Sequence, residues 1–168
     1  GMPYDRNLKY FFASGETDLV GAARSTFEYY QERIAASPTD QGNNYCTMSV
    51  VKASALDELA RVTREVYEAA QTSFPDGFEP QRYSNESQES CKYFDFGHYV
   101  NALGGSEVFD KVLADAVLYD AATPYLRQFP IENHCGMSTY ILRNPNSHTT
   151  RNYEELSWYR DVASFLNF

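Results

Sequence analysis

The sequence predicts an α/β fold, and three features predict it. A short apolar strand, Tyr45-Cys46-Thr47-Met48-Ser49-Val50-Val51, runs straight into a long amphipathic helix. Two more apolar runs of strand character lie at 116–119 and 136–142. A segment with apolar residues at helical spacing precedes the first of these runs and another follows the second.

Pro3 suits the first turn of a helix over residues 4–12, because its missing N–H would be unpaired there anyway. Ser14-Gly15 stops that helix. Thr17 is a candidate cap for the next one, and Asp18 suits the positive end of its dipole. Leu19, Ala23, Phe27, Tyr30 and Ile34 then recur on one face until about Ala36. Residues 37–44 are a loop by composition. In the strand that follows, alternation places Cys46, Met48 and Val50 on one face.

Ser54 is the candidate cap for a helix reaching about Ser73, with Leu56, Leu59, Val62, Val66 and Ala69 inward. From 74 to 90, Pro75, Gly77, Pro80 and polar residues break every pattern, so a long connection is expected. Asn85-Glu86-Ser87 fits a glycosylation acceptor, which matters only in a secreted eukaryotic protein. Tyr93 begins a helix with Asp95 near its start, and Gly104-Gly105 closes it. Residues 106–114 read as another helix. The strands at 116–119 and 136–142 follow, the second ended by Asn144-Pro145-Asn146. A terminal helix starts at Tyr153 and offers Leu156, Tyr159, Val162 and Phe165 to the core. There is no internal repeat and no linker composition, so residues 1–168 read as one domain.

Composition bounds the function. With 43% hydrophobic residues, 14 Tyr and 11 Phe, the chain can build a sizeable core. A formal net charge of -9 without a Lys/Arg cluster disfavours nucleic acid as a partner. The same charge attracts basic peptides, although it also serves solubility. The three cysteines, Cys46, Cys91 and Cys135, have no CxxC spacing and signal neither a disulfide framework nor a zinc site. No apolar run reaches the roughly 18 residues a membrane span needs, and no export signal is present, so any signal would lie upstream.

Few residues have chemistry-bearing neighbours. His134-Cys135 pairs an imidazole with a thiol, but adjacent residues of an extended segment point to opposite faces, which works against a dyad. Asp95 and His98 are three apart, so on a helix the carboxylate could orient the imidazole. His148 sits in a polar loop. Asp115 and Asp120 flank the second strand, where they could meet a cation or simply be solvated. No GxGxxG, GxxxxGK[ST], HExxH or GxSxG motif occurs.

The order of the segments resembles the later part of peptidase family C11, the clostripain-like peptidases. Gly1-Met2-Pro3-Tyr4-Asp5 is similar to the Gly-x-Pro-Tyr-Asp stretch that follows the catalytic region there. Thr47 to Val51 with Leu56-Asp57-Glu58-Leu59 resembles that family's "TLSAID…LDEL". Tyr93-Phe94-Asp95-Phe96-Gly97 resembles "YFDLGDF", Asp115 to Tyr119 an "AVLY"-like strand, and Cys135 to Ile141 "GLSIY". Tyr153 to Asp161 resembles the closing "Y…LDWYKDT".

The resemblance implies a caspase-like sheet flanked by helices, to which this chain would contribute the C-terminal part. The family's catalytic His and Cys occur in Asn-His-Gly and Asp-Ala-Cys contexts, both before Gly-x-Pro-Tyr-Asp. The catalytic half would then lie upstream of Gly1 or on a separate chain, and no catalytic residue is expected here. Asn133-His134-Cys135-Gly136 echoes the first context at the wrong place. The resemblance also implies cleavage after Arg or Lys, with Met2, Tyr4 and Asp5 as substrate-binding candidates near the specificity pocket. Asp5 would serve as the carboxylate for the basic P1 side chain, or simply favour its helix dipole. No cofactor or metal is expected of this chain, and calcium is left open for a whole enzyme. The implied location is secreted or in the cell envelope of a bacterium.

A chain that completes another half's sheet is expected to expose an apolar strand edge or face, covered by a partner or by further copies. Two other classes stay open. One is a non-enzymatic adaptor on a caspase-like scaffold. The other is a compact enzyme that joins His98 or His134 to a cysteine.

Overall fold

The computed structural model describes residues 4–12, 18–37, 45–70, 76–84, 91–126, 129–142 and 148–166. The hydrophobic core forms where three amphipathic helices meet. These are α3 (Leu56–Ala69), α4 (Phe96–Ala102) and α5 (Glu107–Ala116). Leu59, Val62, Val66 and Tyr67 of α3 face Phe96, Tyr99 and Val100 of α4 and Phe109, Leu113 and Ala116 of α5. The rings interlock edge to face: Tyr67 on Tyr99 at 6.2 Å, and Phe96 on Phe109 at 5.7 Å and on Trp158 at 5.8 Å. On its wet side α3 carries Arg61 between Glu58 and Glu65, and Arg64 on Glu68. Such exposed pairs contribute little to stability.

The caps follow the sequence with two exceptions. Ser106 caps α5 by accepting from the Phe109 N–H, and Gly104 ends α4 at φ 100°. The cap of α2 (Leu19–Ala36) is Asp18, whose side chain accepts from the Gly21 N–H; Thr17, the expected cap, lies outside the described residues. Ser54 does not cap α3. It sits inside a 3-10 turn at Ala53–Ala55, and α3 has no side-chain cap.

α/β is the class observed, and the strands pair antiparallel. Among the described residues they form three two-stranded ladders: β1 (Thr47–Val51) with β3 (Val117–Ala122), β2 (Phe94–Asp95) with β6 (Ser138–Thr139), and β4 (Tyr125–Leu126) with β5 (Phe129–Pro130). In the first, Thr47 faces Ala122 and Val50 faces Tyr119, and the register shifts after Val50, leaving Leu118 as the extra residue of a bulge. α2 packs across this ladder, with Arg24 5.8 Å over the Tyr119 ring. α1 (Tyr4–Phe12) lies on α2 and is held by a two-pronged Arg6–Glu32 pair at 2.8 and 2.9 Å and by Asn7 donating to Thr26.

Three expectations need correction. Phe94 and Asp95 are extended rather than helical, because β6 and the Arg82 bridge claim their backbone. The expected strand over 136–142 shortens to β6, since only two residues find a partner there. The terminal helix is broken into α6 (His148–Glu154), α7 (Ser157–Asp161) and a 3-10 turn at Ala163–Phe165. Val162 is buried as expected, but Leu156 and Phe165 stay exposed.

Candidate functional site

Asp95 is where the chain concentrates its buried polar chemistry. β2 ends and α4 begins at this residue, so its side chain turns inward as a helix cap while its backbone still belongs to a strand. It is 1% exposed and accepts three hydrogen bonds. Oδ1 takes the His98 N–H at 2.7 Å, and Oδ2 takes the Cys135 N–H at 2.8 Å and the Tyr83 hydroxyl at 2.5 Å. One carboxylate thereby ties together the segments around Tyr83, α4 and Cys135. Its partners compensate the cost of burial. Burial, and then the charge of Asp95, push the Tyr83 phenol far above its ordinary range.

The Cys135 thiol packs against α4. Sγ accepts the Gly97 N–H at 3.2 Å and donates to Met137 O at 3.3 Å. Gly97 gives the thiol its close approach: a Cβ there would lie 3.0 Å from Cys135 Cβ and from Leu113 Cδ2, so those side chains would have to give way. Burial, and then Asp95, push the thiol up to about 12, so at neutral pH it is protonated and a poor nucleophile. His134 turns to other partners. Its Nδ1 lies 3.4 Å from Asp120 Oδ2, a close contact without hydrogen-bond alignment, and its ring meets Tyr83 edge to face at 5.7 Å. Gly136, at φ 80°, lets this segment approach the β1–β3 ladder; a Cβ there would lie 2.8 Å from Val117 and 3.0 Å from Asp120.

The remaining candidates are scattered. Asp95 caps α4 through the backbone of His98 and does not orient its ring, as the sequence spacing suggested. The His98 Nδ1 instead accepts the Gln81 N–H at 3.1 Å, and Phe78 packs on the ring at 4.9 Å. His148 opens α6, and its side chain lies outside the described residues. Asp115 is exposed. Cys46 donates to Thr47 O and Cys91 to Tyr93 O. Burial raises the Cys46 thiol as well. Among the described residues no three His, Cys, Asp or Glu side chains converge as metal ligands would.

Of the three substrate-binding candidates, Met2 and the side chain of Tyr4 lie outside the described residues. Asp5 is exposed in the first turn of α1. Sequence reasoning did not single out Tyr83, Gln81 or Gly97. Asp95 carried a local signal as an acidic residue near a helix start, but its partners 12 and 40 residues away carried none.

No family profile and no curated protein matches the chain. Solved structures do. An inactive zymogen C11 protease from Parabacteroides distasonis is similar at 28% identity and TM-score 0.76, over 96% of this chain and 48% of its own. A B. fragilis cysteine protease is similar at 24% identity and TM-score 0.77, over 99% and 75%. A clostripain from Bacteroides thetaiotaomicron, in complex with the peptide inhibitor BTN-VLTK-AOMK, follows at 23% and 0.73, over 96% and 70%. The chain thus spans about half the length of the first of these. It has the fold of the C11, clostripain-like cysteine proteases.

Proposed function

We propose that this chain is the C-terminal, non-catalytic part of a clostripain-like cysteine endopeptidase that cleaves after Arg or Lys. It completes the sheet and the substrate cleft, while the catalytic His and Cys lie upstream or on another chain. The observation that carries this reading is the unequal coverage: nearly all of this chain matches a C11 protease, yet it accounts for only 48% of that protease. The thiols agree with it, since Cys46, Cys91 and Cys135 all donate to backbone carbonyls and neither His98 nor His134 pairs with one.

A basic P1 residue is supported by the net charge of -9 and by the lysine in the peptide inhibitor bound to the similar clostripain. In this reading Met2, Tyr4 and Asp5 approach the P1 side chain, with Asp5 as its counter-charge. The proposed location is outside the cell or in the envelope of a bacterium, supported by the presence of a secreted C11 cysteine protease among the similar structures. No helix among the described residues is long and apolar enough to cross a membrane.

The gene sequence immediately before Gly1 tests the proposal. A region with Asn-His-Gly and Asp-Ala-Cys contexts supports it. A signal peptide joined directly to this chain, with no such region on a neighbouring gene, overturns it in favour of an adaptor.

A further inference from the structure

A cleft of about 240 Å³ opens between the 79–82 segment, α4 and the 129–133 segment. Its walls are stapled by Gln81, which is 7% exposed. The Gln81 amide donates to Arg82 O at 3.0 Å and Pro130 O at 3.2 Å, and its Oε1 accepts the Glu132 and Asn133 N–H groups at 2.9 and 3.2 Å. The cleft is therefore held open by hydrogen bonds that already exist, which lowers the cost of filling it.

Among the described residues its donors lack an acceptor. Arg82 lines the cleft with its guanidinium 4.4 Å over the Phe129 ring, and its Nε is buried without a hydrogen-bond partner. Glu79 and Glu132 line the same cleft, yet among the described residues no ion pair joins either of them to Arg82. His98 supplies a second donor. Its Nδ1 accepts the Gln81 N–H, so in the neutral ring the proton sits on Nε2. Asn133 adds an amide.

We infer that this cleft binds a carboxylate, with Arg82 as its principal contact and His98 Nε2 and the Asn133 amide as further donors. A planar guanidinium stacked on an aromatic ring is pre-organised for a carboxylate. Glu79 and Glu132 repel a doubly charged anion such as phosphate more strongly than a singly charged one. The volume suits one amino-acid-sized group, so the ligand is a small organic acid or the C-terminal residue of a peptide. The site does not depend on the peptidase reading.

The test is an NMR titration of the whole chain with N-acetylglycine and with N-acetylglycinamide, which differ only in the charged group. Tetra-alanine with a free or an amidated C-terminus distinguishes the two sources, and inorganic phosphate serves as the control for charge alone. The acid is expected to shift resonances around Arg82, His98 and Asn133 at least about tenfold more tightly than its amide. Arg82→Gln removes that preference, and Arg82→Lys, which keeps the charge but loses the planar fork, retains part of it. His98→Asn keeps an acceptor near the place of Nδ1 and loses the Nε2 donor, so it weakens the acid a few-fold. Binding of the free tetrapeptide identifies a peptide terminus as the ligand; binding of N-acetylglycine alone identifies a small acid. Equal binding of acid and amide, tighter binding of phosphate, no binding of either acid, or an acid preference unchanged in folded Arg82→Gln and His98→Asn would each overturn the inference.

Discussion

The helical core and the β1–β3 ladder are built to different standards. Around α3, α4 and α5, residues such as Leu59, Phe94, Val100 and Phe109 are wholly buried. In the ladder no residue is fully buried: Met48, Val50, Tyr119 and Ala121 are half-covered by α2, while Leu118 is exposed. Among the described residues β1 and β3 pair only with each other, so each keeps one edge without a partner strand. The core stabilises the chain, and under the proposed function the ladder is the part that would accept further strands.

Substitutions should separate the two regions by size of effect. The largest is expected at Phe109→Ala in the core, about 3–5 kcal/mol of lost stability by chemical denaturation. Asp95→Ala is expected to cost about 3 kcal/mol, because it strands the donors of Tyr83, His98 and Cys135 in the interior. Asp95→Asn, which keeps an acceptor, should cost less. Gly136→Ala tests the joint between the regions. A positive φ and the crowding against Val117 and Asp120 predict about 1–3 kcal/mol. Leu118→Thr, on the open ladder, should change stability by no more than about 0.5 kcal/mol.

The pH response distinguishes the junction in the same way. The Cys135 thiol is raised to about 12 when folded, against about 8.5 in an unfolded chain. A raised value means that the folded state holds the proton more tightly. The contribution is complete below about pH 8.5 and is lost as pH rises toward 12. The stability advantage of the wild-type chain over Cys135→Ala should therefore shrink between pH 8 and pH 10.5. Thermal unfolding of both chains across that range measures it, and a constant difference would mean that the thiol is not buried as described.

Much of the helical framework was legible because amphipathic spacing and capping residues are local signals. α1 lies where the helix over 4–12 was expected, α2 where Leu19 and Phe27 indicated, and α5 over the expected segment 106–114. The strands were harder, since pairing is set by partners distant in sequence. Residues 136–142 read as one strand but yielded β6 alone, and β4 and β5 carried no signal. The polar junction was legible only in part. Asp95 could be placed near a helix start, whereas Tyr83 reaches it across 12 residues and the Cys135 N–H across 40. Arg82 and Gln81 gave no sign of the cleft, because only the fold brings them beside His98 and Pro130.

The chain carries the C11 fold, and the central proposal is that it does not do the peptidase chemistry by itself. Hydrolysis of fluorogenic peptides ending in Lys or Arg by the purified chain tests it most directly. No cleavage above background is the expected result, with or without reducing agent. Thiol-dependent cleavage that Cys135→Ala abolishes would contradict the account.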